Sequence, residues 1–155
     1  MKKILLLLLL FPCILLSQKR QFRPDKQTYI EANTGIGVVG DWDISNRPFT
    51  SLFIGRTTDF GDYSFADISV GLSYPFIVSA KLGLGSYYGQ KENTSIVVGV
   101  RVRPAMLYSQ LRTKIKDKGF FTLSAELGTG GDEVVGYTHL FNVGWKWNLK
   151  FKKKK

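Results

Sequence analysis

At 155 residues the chain is one domain's worth of sequence. Its single cysteine, Cys13, and single histidine, His139, exclude a disulfide framework and a multi-histidine metal site. The formal charge of +10 would ordinarily raise nucleic acid as a partner. Four of those charges are the terminal Lys152 to Lys155, however, which read as a solvated or lipid-phosphate-touching tail, and the leader at the other end argues for export and against nucleic acid.

That leader has a cationic start, Met1-Lys-Lys3, an apolar run from Ile4 to Leu16, and a return to polarity at Ser17-Gln-Lys-Arg20. This is the build of a secretory signal peptide, residues 1–17, cut after Ser17. A transmembrane anchor needs about 20 apolar residues, and Pro12 interrupts this shorter run. Lipidation at Cys13 fits Leu10 but not Pro12. Cleavage removes Cys13 with Lys2 and Lys3, so the exported chain carries no thiolate and is held by its own sheet or core. Residues 18–27 are polar and read as a periplasmic lead-in to a barrel spanning residues 28–151, with a lysine tail at 152–155.

No later apolar run approaches the length of a spanning helix, so a membrane protein here must be a barrel. Alternation at the strand period then recurs along the chain. Ile30, Ala32, Thr34, Ile36 and Val38 oppose Glu31, Asn33, Gly35 and Gly37, and Gly40 to Pro48 follows as a turn-rich loop. Phe49 to Thr57 is apolar enough for a strand, but it mixes both faces and its orientation stays unresolved. Asp59-Phe-Gly-Asp62 is a tight-turn signature. Ala66, Ile68, Val70, Leu72 and Tyr74 oppose Asp67, Ser69, Gly71 and Ser73; beyond Pro75, Val78, Ala80, Leu82 and Leu84 oppose Ser79, Lys81, Gly83 and Gly85. The preserved phase fits one long strand or two joined by a three-residue loop. Proline sits poorly inside a sheet, which favours two.

Tyr88 to Thr94 reads as a loop, followed by Ile96, Val98, Val100 and Val102 against Gly99, Arg101 and Arg103. Ala105 to Lys116 is open between strand and helix: Leu107, Leu111 and Ile115 fit a helix, whereas Leu107, Ser109 and Leu111 fit a strand face. The strand is favoured because Ile115-Lys-Asp-Lys-Gly119 then turns into Phe121, Leu123, Ala125 and Leu127, opposed by Phe120, Thr122, Ser124 and Glu126. After the Gly128 to Glu133 loop, Phe141, Val143, Trp145, Trp147, Leu149 and Phe151 alternate with Asn142, Gly144, Lys146, Asn148 and Lys150. A soluble strand with so apolar a face needs a covering layer, whereas a transmembrane strand needs only lipid.

The reading is therefore all-β: an eight-stranded, antiparallel, up-and-down transmembrane β-barrel. Eight is even, as expected of a bacterial barrel with both ends in the periplasm. Barrels of this size are filled by side chains and have no wide channel. The expected inward charges, Glu31, Asp67, Lys81, Arg101, Arg103, Glu126 and Lys146, include both signs, as buried charges require.

A leader, roughly eight alternating strands and a last strand ending in an aromatic residue, Phe151, resemble the small outer-membrane β-barrel proteins of Gram-negative bacteria, of the outer-membrane protein X and outer-membrane protein A membrane-domain type. The likeness is one of pattern over residues 18–155, not of signature motifs. In that group a terminal aromatic is read by the barrel-insertion machinery, a role the resemblance implies for Trp145, Trp147 and Phe151. Lys152 to Lys155 depart from the pattern by following the aromatic. The resemblance also implies the cell outer membrane as location, and outer-membrane lipids including lipopolysaccharide, the insertion machinery and other outer-membrane proteins as partners.

Candidate chemistry is thin. Some barrels of this size are lipid A deacylases with a His-x-Ser-Asn motif, and His139-Leu-Phe-Asn142 is similar at His139 and Asn142. Phe141 occupies the serine position, so the activated nucleophile is missing; Glu126 is merely available as an orienting acid, and Ser109 and Ser124 have no spacing that fixes them beside His139. Gly35-Ile-Gly37, Gly83-Leu-Gly85 and Gly128-Thr-Gly-Gly131 lack a strand feeding a helix and read as small lumen residues and a turn. No catalytic, cofactor-binding or metal residue is assigned. The expectation is a non-enzymatic barrel with a structural, adhesive or complex-accessory role; the alternatives are a lipid-modifying enzyme and a secreted lipocalin-like binding barrel.

Overall fold

The computed structural model describes residues 26–39, 47–74, 77–88, 93–115, 119–128 and 137–149. The leader, the lead-in up to residue 25, Phe151 and the lysine tail lie outside the described residues. Within them are β1 (Lys26–Val39), β2 (Arg47–Asp59), β3 (Ser64–Ser73), β4 (Ile77–Tyr88), β5 (Thr94–Arg101), β6 (Met106–Lys114), β7 (Phe120–Gly128) and β8 (Tyr137–Leu149).

Each strand pairs antiparallel with its chain neighbours, and β1 closes on β8, so the sheet is a closed up-and-down barrel. Closure leaves no unpaired edge. One row of register partners runs Thr28, Arg56, Ile68, Leu82, Val100, Leu107, Leu127, His139 and returns to β1 at Val38, ten residues beyond its start. A stagger of that size over eight strands corresponds to a tilt of roughly 40°.

The alternation in the sequence becomes inside and outside. Along β6 buried and exposed positions alternate from Met106 to Arg112. The strand reading of this segment holds over Met106–Lys114, and Ala105 lies in the preceding turn. Ile68, Leu82, Val98, Leu107 and Leu123 point outward and are at least half exposed; Glu31, Asp67, Lys81, Arg101, Glu126 and Lys146 point inward and are buried. The wall is thus apolar outside and polar inside, the reverse of a soluble barrel.

Two expectations are corrected. β1 begins at Lys26, inside the segment read as lead-in, because Lys26 and Gln27 still pair with Thr58 and Thr57. Arg103 does not point into the lumen: β5 ends at Arg101, and Arg103 is exposed in the turn that follows. β3 ends at Ser73 and β4 begins at Ile77, so this stretch is two strands and not one long one. The β6–β7 link closes with Ile115 N–H donating to Gly119 O at 2.9 Å, and Gly119 takes a φ of 146° that side-chain-bearing residues rarely adopt.

Candidate functional site

The sequence of β2 mixes its two faces because its inward face is aromatic. Phe49 and Phe53 point into the lumen and are buried, while Leu52 and Ile54 point out. The two rings are platforms for cations: the Arg101 guanidinium lies 5.0 Å from the Phe49 centroid and 5.2 Å from Phe53, and Lys81 Nζ lies 4.9 Å from Phe53. An apolar residue on a lumen face therefore carries a charge partner, a relation invisible in β2 alone.

The lumen holds one continuous polar network. Asp67 accepts Arg112 Nη1 at 3.1 Å and Nη2 at 2.8 Å, Tyr29 Oη at 2.7 Å, and Thr57 Oγ1 at 2.7 Å, with Lys146 Nζ at 3.4 Å. Arg112 Nε donates to Gln110 at 2.6 Å, and Gln110 Nε2 donates to Glu31 at 3.0 Å. Glu31 also accepts Asn33 at 3.0 Å and faces Lys81 at 3.9 Å. Lys81 lies 3.2 Å from Glu126, which accepts Arg101 Nη1 at 2.6 Å and Asn142 at 3.2 Å. Arg101 finishes the chain on Ser79 at 3.0 Å and Ser73 at 3.3 Å. Buried charges are tolerated when each is paired and its remaining hydrogen-bonding capacity is used, and the three carboxylates here meet that condition.

Arg112 is missing from the inward charges the sequence predicts because its segment fits both the strand and the helix period. Its signal was present: in a strand, Arg112 shares parity with Gln110 and Tyr108, opposite Leu107, Ser109 and Leu111. Packing around the network is close. A Cβ on Gly55 would strike the Tyr29 ring, and one on Gly85 would strike Phe65, so these glycines give aromatic rings room against the wall; for Gly85 this agrees with its reading as a small lumen residue. At the mouth where β1 begins and β8 ends, Arg112, Lys146, Thr57 and Phe65 line a recess of about 10 Å³, room for about one water.

The residues weighed for deacylase-like chemistry are not brought together. His139 is on the outer wall, half-buried, its Nδ1 3.0 Å from Thr138 Oγ1. Asn142 and Glu126 are in the lumen. A spacing of three along a strand puts His139 and Asn142 on opposite faces, with the sheet between them. Ser124 is buried inside, whereas Ser109 is exposed outside on β6. Trp145 and Trp147 lie on the outer face of β8 with ring centroids 6.3 Å apart.

No family model and no curated protein matches the chain. Among solved structures, the fold is similar to a de novo designed transmembrane β-barrel at a TM-score of 0.55 and 10% sequence identity, over 84% of this chain and 100% of the other. At that identity the likeness shows the fold alone: an eight-stranded antiparallel β-barrel.

Proposed function

We propose that the protein is a non-enzymatic transmembrane barrel of the Gram-negative outer membrane, exported by its leader, with a structural, adhesive or complex-accessory role. The observation that carries this reading is the polarity of the wall. Leu82 is 56% and Leu107 65% exposed on the outside, while Arg101 and Glu126 are 2% and 0% exposed inside. Water would not tolerate a belt of this extent on a monomer, but lipid covers it at no cost. The lipocalin-like alternative requires the opposite facing. Outer-membrane lipids including lipopolysaccharide, the barrel-insertion machinery and neighbouring outer-membrane proteins are the partners this location supplies.

Fractionation of cells producing the full chain tests the reading. The protein should remain with outer membranes through a carbonate wash and come off in detergent. Recovery in the soluble periplasm or the medium would overturn it.

A further inference from the structure

Arg56 is out of keeping with its surroundings. Its neighbours Gly55 and Thr57 have inward parity, so Arg56 points to the outside and is exposed. Among the outward-parity positions of the strands only Lys26, the first residue of β1 and the register partner of Thr58, also carries a permanent charge, and Arg56 makes no hydrogen bond or ion pair with a described residue. Its register partners are Thr28 on β1 and Ile68 on β3. A bare guanidinium on an apolar wall is unfavourable unless its head reaches polar headgroups.

Position supplies that reach. β2 ends at Asp59, three residues past Arg56, or roughly 8 Å along the barrel axis at this tilt. Toward that end the same face carries Thr58, with Ala66 as its register partner. Away from it stand Ile54 and Ile68, 52% and 56% exposed. A cation bordered by two threonine hydroxyls and a small residue on one side, and by branched apolar side chains on the other, matches a phosphodiester with acyl chains attached.

We propose that Arg56 anchors a site for the phosphate of an anionic phospholipid, in the leaflet on the side where β1 begins and β8 ends. The site rests on the membrane-barrel reading. The planar fork of arginine binds phosphate oxygens in pairs, Thr28 and Thr58 border the headgroup, and Ile54 and Ile68 carry the chains.

The test refolds the full chain into vesicles of equimolar phosphatidylglycerol and phosphatidylcholine, then releases it in mild detergent and counts retained lipids by native mass spectrometry. The wild-type protein should retain phosphatidylglycerol with about a fivefold preference, the value of one basic residue at an anionic surface. Arg56→Gln should bring the two lipids near parity, and Arg56→Lys should keep most of the preference. Arg103→Gln, in the turn at the opposite end, should leave it unchanged. An unaltered preference in Arg56→Gln, or no preference in the wild-type protein, overturns the site. Inorganic phosphate that displaces the lipid, or binds equally in lipid-free detergent, assigns the arginine to free phosphate and also overturns it. Failure of the wild-type protein to enter vesicles at all overturns the membrane reading and the site with it, and is seen before any lipid is counted.

Discussion

Arg101 of β5 and Glu126 of β7 meet at 2.6 Å inside the barrel, with both side chains withdrawn from solvent. They share no ladder, since β6 lies between their strands. Each is the main counter-charge of the other, and Glu126 also holds Lys81 at 3.2 Å. The pair therefore fastens three strands across the lumen.

Glu126→Ala should destabilise the barrel by about 3–5 kcal/mol, because it leaves a buried guanidinium uncompensated. Replacing Arg101 and Glu126 together with Met and Leu should cost much less, since no lone buried charge remains except Lys81, which retains Glu31 at 3.9 Å. Urea titration of the refolded protein in vesicles measures both. A single-variant cost below about 1 kcal/mol, the range of exposed pairs, would mean that water screens the lumen.

Depth along the outer wall should grade the cost of added charge. Leu82 and Val102 are comparably exposed, at 56% and 61%, but Leu82 lies mid-strand and Val102 in the turn after β5. Leu82→Arg should cost about 2–4 kcal/mol and Val102→Arg about 0–1 kcal/mol. Equal costs in the same urea titration would contradict a membrane-spanning belt centred on Leu82.

Gly85→Ala should destabilise by about 1–3 kcal/mol through overpacking, because the new methyl group strikes the Phe65 ring. Phe65→Leu in the same chain should recover part of that loss while costing stability by itself. A double-mutant cycle checks the coupling; strict additivity would show that the two positions do not touch.

His139→Ala should leave the acylation of lipid A unchanged, since the sheet separates His139 from Asn142 and Glu126. General-base catalysis contributes roughly 10²- to 10⁴-fold, so an enzyme relying on this residue would lose nearly all activity. Mass spectrometry of lipid A from cells with the intact gene, a deletion and the His139→Ala variant decides it. Loss of acyl chains that requires the gene and vanishes in the variant would make the protein a deacylase.

The sequence by itself determined which residues share a face on most strands, and hence seven of the eight strands; β6 fits both the strand and the helix period, and the structure decided it. Side-chain alternation is a local property of extended backbone: Asp67 and Ser69 oppose Ile68 and Val70 whatever lies beside them. Proline at 75 and glycine at 119 likewise marked links through their own backbone preferences. Local pattern failed where one residue type serves both faces. Phe49 and Phe53 are as apolar as Leu52 and Ile54, and only the positions of Arg101 and Lys81 across the lumen distinguish their roles. The end of β5 was equally hidden, because Arg103 continues the alternation of Gly99 and Arg101 into a turn.

Tertiary structure alone decided which charge meets which. Asp67 on β3 finds Arg112 on β6, and Glu126 finds Arg101 and Lys81, through the stagger that carries Thr28 round to Val38. Nothing in a single strand encodes that offset. It is a property of closing eight tilted strands into one ring, and shifting one ladder would re-pair every charge in the lumen while leaving each strand's own alternation intact.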